Sequence, residues 1–197
     1  MATSIKHKAK RDYILMMGMN ILRNRGYNGT SVKDIVSAAG VPKGSFYSYF
    51  ESKEDFALKA LAKYFTDFTD EISSVLDDIS KSYKERLIAH YEYRLELVLN
   101  HPELKDGCIA SSLGNEMSNY SEAIRNAITK KESSVKGKLI ELIQKGQENG
   151  EIKNQLNAEA LVNFIEDAWK GAIITRKEYQ NDQSIRNLLM VTKNLLE

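Results

Sequence analysis

The chain has few of the residues that cross-link or interrupt a fold. Its 197 residues include one cysteine and two prolines, Pro42 and Pro102. A single cysteine cannot form an internal disulfide, so we expect a cytoplasmic protein. Alternating runs of β-branched residues are also rare, which argues against strands. The composition therefore predicts an all-α fold.

Long apolar runs are missing too. The longest ones, such as residues 172–175, are far shorter than the roughly 20 residues that a membrane-spanning helix needs. Residues 1–13 have no apolar centre of the kind a signal peptide requires. We therefore expect no membrane partner.

Patterns that would indicate catalysis or metal binding are absent. The histidines, His7, His90 and His101, lack the spacing of metal ligands. The sequence has no glycine-rich phosphate loop, no G-x-S-x-G and no C-x-x-C motif. We expect no cofactor, no metal and no enzymatic activity.

Charge is divided unevenly along the chain. Residues 1–65 carry 11 Lys and Arg against 5 Asp and Glu, a net charge of +6, whereas residues 66–197 carry 17 against 22, a net charge of −5. A basic first third suggests contact with a polyanion such as DNA. The alternative is chance variation among charged helix faces.

The segment between Thr30 and Lys53 predicts a helix-turn-helix. Ser31 suits an N-cap, Gly40 suits a turn with positive φ, and Pro42 suits the first turn of a second helix. The first helix has apolar residues at i, i+3, i+4 and i+7, namely Val32, Ile35, Val36 and Ala39. The second helix of such a motif lies in the DNA major groove.

That second helix is expected to bury Phe46 and Phe50, which lie four residues apart on one helical face. The other side is a small hydrogen-bonding surface made by Lys43, Ser45, Tyr47, Ser48 and Tyr49.

About nine helices are predicted altogether. The first ends at Gly26 and carries Gly18 on its inner face, where a close helix crossing would explain a glycine. The fourth is capped by Ser52 and ends near Leu76. The others cover approximately residues 82–100, 107–117, 121–149, 157–177 and 183–196.

The motif GVPKGSFYSYFESKEDF at residues 40–56 resembles the signature of TetR/AcrR-type bacterial repressors. The likeness extends back through Gly26-Tyr27 and Thr30-Ser31 and is dense over residues 10–65. It implies a three-helix helix-turn-helix DNA-binding domain at residues 1–50. Residues 51–197 would then form a helical effector-binding and dimerisation domain.

The resemblance implies roles at a double-stranded DNA operator. Ser45 and Tyr47 would reach base edges or thymine methyls, and Ser31 would lie beside backbone N–H groups that favour an anion. Ser48 stands where a basic or aromatic residue is frequent, which would weaken the backbone contact. Phosphates would be held by Thr30, Lys43, Tyr49 and Lys53. The basic arm, either a minor-groove contact or a disordered tail, comprises Lys6, Lys8, Lys10 and Arg11.

Gly107-Cys108-Ile109 with Glu116 is similar to the electrophile-sensing, N-ethylmaleimide-type branch of this family. Cys108 has two interpretations. It is either a small buried residue, or a thiolate stabilised by a helix N-terminus and a nearby cation such as Lys105. Arg176 and Lys177 are other candidate cations.

Further effector candidates are polar or aromatic residues on amphipathic helices, each of which could instead belong to the core or the surface: His90, Tyr91, Arg94, Tyr120, Phe164 and Trp169. The last two helices are predicted to form an intermolecular four-helix bundle through Leu161, Ile165, Ala168, Leu188 and Leu189.

The sequence thus predicts a homodimeric DNA-binding repressor that a small-molecule effector or cysteine modification releases from its operator. The alternative is a helical enzyme or scaffold protein that retains a helix-turn-helix-like segment.

Overall fold

The computed structural model of the chain describes residues 2–101 and 108–197, with side chains from residue 7 onward. Within these ranges all regular structure is helical, which confirms the all-α prediction. The helices are α1 (Ala2–Arg25), α2 (Val32–Ala38), α3 (Lys43–Tyr47), α4 (beginning with Lys53–Tyr64), α5 (Tyr83–Asn100), α6 (Ile109–Met117), α7 (Glu122–Glu148), α8 (Ala158–Tyr179) and α9 (Gln183–Leu195).

Helix α4 is continuous but not uniform. After its α-helical start, a π-helical turn over Phe65–Thr69, an α-helical turn over Asp70–Ser74 and a 3₁₀ turn over Val75–Asp77 follow without a break. The hydroxyl of Ser52 accepts a hydrogen bond from the Asp55 N–H at 3.0 Å, so the predicted cap is confirmed.

The basic arm is helical. α1 begins at Ala2, so residues 6–11 form part of a regular helix. The interpretation of this arm as a disordered tail is therefore wrong, because its backbone already makes helical hydrogen bonds.

The chain packs into two compact units. Among the described residues, the first unit holds 2–65 and 108–129, and the second holds 66–101 and 130–197. The core of the first unit includes Phe46, Phe50 and Phe56, together with residues of α1, α2 and α6. α6 packs with α1 and α4, the helices on either side of the helix-turn-helix, although it follows much later in the chain. The division at residues 50 and 51 concerns function and stays a prediction.

Two glycines have the roles predicted for them. A Cβ atom on Gly18 would lie 2.4 Å from Cζ of Phe56, so the close crossing of α1 and α4 is confirmed. Gly40 has φ +62°, in the left-handed region, and lets the chain turn from α2 towards α3. Every helix in the described ranges is too short or too polar to cross a membrane.

Candidate DNA interface and effector site

The N-terminus of α2 is closed by a capping box. The hydroxyl of Ser31 accepts a hydrogen bond from the Asp34 N–H at 3.2 Å, and the Asp34 carboxylate accepts one from the Ser31 N–H at 2.8 Å. Hydrogen bonds from Ser31 lower the pKa of Asp34. The box fixes the start of α2 and leaves Ser31 exposed at the surface.

α3 is anchored by aromatic packing on one side. Phe46 and Phe50 are fully buried, with ring centroids 5.0 Å apart, and Phe46 also contacts Phe56. Tyr47 is 55% exposed even though its ring packs edge-on against Phe46 at 5.3 Å. The exposed or partly exposed positions of the predicted DNA-reading surface are Lys43, Ser45, Tyr47, Ser48 and Tyr49.

Two predicted phosphate contacts face inward instead. Thr30 is only 1% exposed, and its hydroxyl donates to the Gly26 carbonyl at 2.7 Å. The Lys53 ammonium donates to the carbonyls of Tyr27 at 2.9 Å and Thr30 at 3.0 Å, and lies 3.9 Å from the Tyr27 ring centroid. Burial lowers the pKa of Lys53, while the Glu116 carboxylate opposes that shift. Thr30 therefore serves the turn, and Lys53 has two of its three donors occupied within the protein.

Glu116 is a residue of this region for which the sequence predicted no contact. Its carboxylate, at the end of α6, accepts hydrogen bonds from the N–H of Tyr27 at 3.1 Å and of Asn28 at 2.8 Å. These partners lie 89 and 88 residues away in sequence, so no local pattern could have revealed them.

Cys108 is the N-cap residue of α6 and is half-buried against the core of the first unit. Its thiol makes no capping hydrogen bond with the described residues of α6. Gly107 and Lys105, which precede it in the sequence, lie outside the described residues. Among the other candidate cations, Arg176 pairs with Asp182 at 2.7 Å in the second unit.

The second unit contains a buried polar cluster between α5 and α8. Glu166 accepts hydrogen bonds from Arg94 at 2.6 Å and from the Tyr91 hydroxyl at 3.1 Å. The Arg94 guanidinium also lies 4.2 Å from the centroid of the Trp169 ring. Burial would raise the pKa of Glu166, but attraction and hydrogen bonding from Arg94 outweigh it and the pKa is lowered. Glu166 was not among the predicted site residues. Its position on the apolar stripe of α8, beside Val162, Ile165 and Trp169, would have indicated a buried carboxylate.

His90 completes this cluster. Its Nδ1 lies 3.1 Å from the carbonyl of Ile72, while its buried Nε2 has no hydrogen-bond partner among the described residues. Burial, reinforced by the positive charge of Arg94, lowers the pKa of His90 to about 4. The neutral ring therefore donates from Nδ1, which leaves Nε2 as a buried acceptor.

Other predicted site residues are placed differently. Tyr120 is 84% exposed between α6 and α7, so it does not line a buried effector site. Leu161 and Ile165 are 3% and 1% exposed in the single chain, which removes them from the predicted dimer interface because core packing already covers them. Ala168, Leu188 and Leu189 are partly exposed. The strongly exposed apolar residues of α8 and α9 are Phe164, Ile174, Tyr179, Met190 and Val191.

These features define a class of protein. α2 is capped at its start and is followed by a tight turn and the short helix α3. α3 has a buried aromatic side and an exposed polar side. This arrangement is the helix-turn-helix of a DNA-binding regulator. Residues 14–60 match the family described as bacterial regulatory proteins, tetR family, and residues 84–190 match the tetracyclin repressor-like C-terminal domain. The chain belongs to the TetR family of transcriptional regulators, which are not enzymes.

The chain is similar to several known proteins over nearly its whole length. The HTH-type transcriptional repressor DhaR of Mycobacterium sp. (strain GP1) is 33% identical over 92% of this chain and 89% of its own. The HTH-type transcriptional repressor NemR of Escherichia coli is 27% identical over 94% of this chain and 93% of its own. The crystal structure of reduced E. coli NemR has a TM-score of 0.82 and covers 96% of this chain and 97% of its own.

Proposed function

We propose that the chain is a homodimeric repressor that binds operator DNA through α2 and α3 and is released by a small-molecule effector or by modification of Cys108. One observation carries the proposal: Phe46 and Phe50 hold α3 from behind, while Lys43, Tyr47 and Ser48 remain exposed. The similar proteins DhaR and NemR are both named repressors, which supports repression over activation.

In this proposal the exposed and partly exposed side chains have separate roles at the operator. Ser45 and Tyr47 read base edges in the major groove, because small hydroxyl and aromatic groups can contact bases there. Lys43, Tyr49 and Ser31 hold phosphates and fix the register of the helix on the duplex. Ser48 adds a weak, uncharged contact.

Two copies are required for tight, specific binding. One chain has one recognition helix and reads one half-site, whereas a two-fold dimer places two recognition helices about 34–36 Å apart, one turn of DNA. The exposed apolar residues of α8 and α9, Phe164, Ile174, Met190 and Val191, support a four-helix bundle between two copies.

Release requires a ligand or adduct that favours a state with the recognition helices wrongly spaced. The buried cluster of His90, Tyr91, Arg94 and Trp169 supports an effector site in the second unit, because Nε2 of His90 has no hydrogen-bond partner in the described part of the chain. Cys108 is the alternative sensor. That a similar repressor has been described in a reduced form supports testing the redox state of this thiol.

The test begins with selection of bound sequences from a random duplex library, since the operator is unknown. The selected duplex and a scrambled one are then titrated at several salt concentrations. We expect a palindromic site, preference over the scrambled duplex, and affinity that falls steeply with salt. If no sequence is enriched, the proposal is wrong.

Such a regulator acts in the compartment that holds the chromosome.

A further inference from the structure

The turn between α1 and α2, residues 26–30, is held by two charges of opposite sign from two other helices. Glu116 of α6 accepts the N–H groups of Tyr27 and Asn28. Lys53 of α4 donates to the carbonyls of Tyr27 and Thr30. Hydrogen bonds to charged groups are about twice as strong as neutral ones, so this short turn is fixed more firmly than neutral hydrogen bonds would fix it.

The backbone of the turn is shaped to admit the carboxylate. Gly26 has φ +73°, and a Cβ atom built there would lie 1.9 Å from Oε1 of Glu116. A side chain at this position would therefore displace the carboxylate. The Ser112 hydroxyl, one turn earlier in α6, lies 3.4 Å from the same oxygen and helps to orient it.

The turn leads directly into the DNA-reading half. Thr30 ends it with a hydroxyl bond back to the Gly26 carbonyl, and the next residue, Ser31, is the N-cap of α2. α2 packs against α3, whose exposed side chains form the proposed reading surface. A shift of the turn would therefore move the N-terminus of α2 and change the angle at which α3 meets DNA.

We propose that Glu116 is a positioning residue for operator recognition, acting from α6 through the α1–α2 turn without touching DNA. This inference rests on the proposed function, because it assumes a specific operator. In this proposal α6 contributes to operator recognition, in addition to carrying the candidate sensor Cys108 at its start.

The sign of the effect separates positioning from simple electrostatics. A carboxylate on a DNA-binding protein opposes binding to phosphates, so removing its charge should by itself strengthen binding. Positioning predicts the opposite. In Glu116→Gln the shape is kept, but one carboxylate oxygen becomes an NH₂ group that faces a backbone N–H, so the turn loses an acceptor.

The experiment compares Glu116→Gln with Glu122→Gln, which removes the same charge from an exposed position in the first turn of α7. Affinities are measured for the selected operator and for a scrambled duplex. We expect Glu116→Gln to bind the operator roughly tenfold more weakly, a typical coupling for a residue outside the interface. Its affinity for the scrambled duplex should not fall. Glu122→Gln should bind both duplexes at least as well as wild type.

Glu116→Asp supplies a second variant with unchanged net charge. Its carboxylate is one methylene shorter, so it should also weaken operator binding. Hydrogen exchange of the Tyr27 and Asn28 amides, measured without DNA, should become faster in both Glu116 variants and stay unchanged in Glu122→Gln. Helicity measured by circular dichroism shows that each variant is folded.

The failures of the two proposals look different. If wild type selects an operator and both Glu116 variants bind it as tightly as wild type, the positioning role is overturned and the proposed function stands. Unchanged amide exchange in the variants also overturns it. If wild type itself selects no sequence, the proposed function fails and the inference about Glu116 fails with it.

Discussion

Tyr47 is a large aromatic residue that packing alone does not explain, because more than half of it is exposed beside the buried Phe46. If it reads a base edge, Tyr47→Ala should cost about 1–3 kcal/mol of specific DNA binding. Tyr47→Phe keeps the ring and removes only the hydroxyl, so it separates stacking or methyl contact from hydrogen bonding. Titration of matched and scrambled duplexes measures both variants. Wild-type discrimination in Tyr47→Ala would place α3 outside the groove.

Lys53 and Lys43 form a matched pair of lysines with different surroundings. Lys53→Met removes two hydrogen bonds to carbonyls of the turn, so the free energy of unfolding should fall by about 1–2 kcal/mol. Lys43→Met, at an exposed position, should leave stability unchanged and reduce the salt slope of DNA binding by about 1. Urea unfolding and salt titrations check the pair. A stable Lys53→Met with a reduced salt slope would instead restore Lys53 as a phosphate contact.

Chemical modification of Cys108 tests whether this half-buried thiol at the start of α6 is a sensor. An adduct at this packed helix end should shift α6, and with it the α1–α2 turn that Glu116 holds. We expect N-ethylmaleimide or a quinone to lower operator affinity of wild type and to leave Cys108→Ser bound. Mass spectrometry verifies that the adduct has formed. Release of Cys108→Ser by the same reagents would make Cys108 a core residue and leave the effector site in the second unit.

Helix α5 carries the buried His90, through which the folding stability of the protein should depend on pH. Burial lowers its folded pKa to about 4, against 6.5 in an unfolded chain. Between these values the unfolded state binds more protons than the folded state, so stability should fall as pH falls from about 6.5 to about 4. Over the whole window the loss is of the order of 3 kcal/mol.

The control for this loss is His90→Asn, which does not titrate. Other groups also titrate in the window, including Glu166, whose lowered pKa acts in the same direction. The comparison of wild type with His90→Asn in urea unfolding at pH 7 and pH 4.5 isolates the contribution of His90. Identical pH dependence in both proteins would contradict a buried neutral His90.

The helices themselves could be predicted because their signals are local. Ser31 and Ser52 cap helices as predicted, and Gly40 and Gly150 turn the chain with positive φ. The Tyr27–Glu116 and Arg94–Glu166 contacts join residues 89 and 72 positions apart. Such pairs depend on how whole helices pack, and a single sequence carries no record of that.

At the scale of the molecule, the chain order does not follow the packing. α6 lies in the second half of the sequence but packs with α1 and α4 in the first unit. A functional boundary at residues 50 and 51 was a natural prediction because the helix-turn-helix motif ends there. The structure adds that α6, which begins only at Ile109, packs with α1 and α4, the helices on either side of this motif.

The structure changes which residues we propose for the dimer interface. α8 is apolar on two sides: Leu161 and Ile165 face the core, whereas Phe164 is 60% exposed. Leu188 and Leu189 pack partly against the core, so a charge at either position would disturb folding as well as association. Phe164 and Val191 are exposed and test the interface alone.

We expect the double variant Phe164→Glu and Val191→Glu to convert a dimer into a folded monomer of about 22.4 kDa. Burying glutamates against an apolar face without partners is costly, and a two-fold interface would bury two copies of each. Ile79→Glu is the matched control, because Ile79 is 90% exposed and lies outside α8 and α9. Light scattering at micromolar concentration measures the mass, and circular dichroism verifies helicity. The monomer should also bind a single half-site far more weakly than the dimer binds the full operator. A double variant that keeps the dimer mass and full helicity would place the interface elsewhere on the chain.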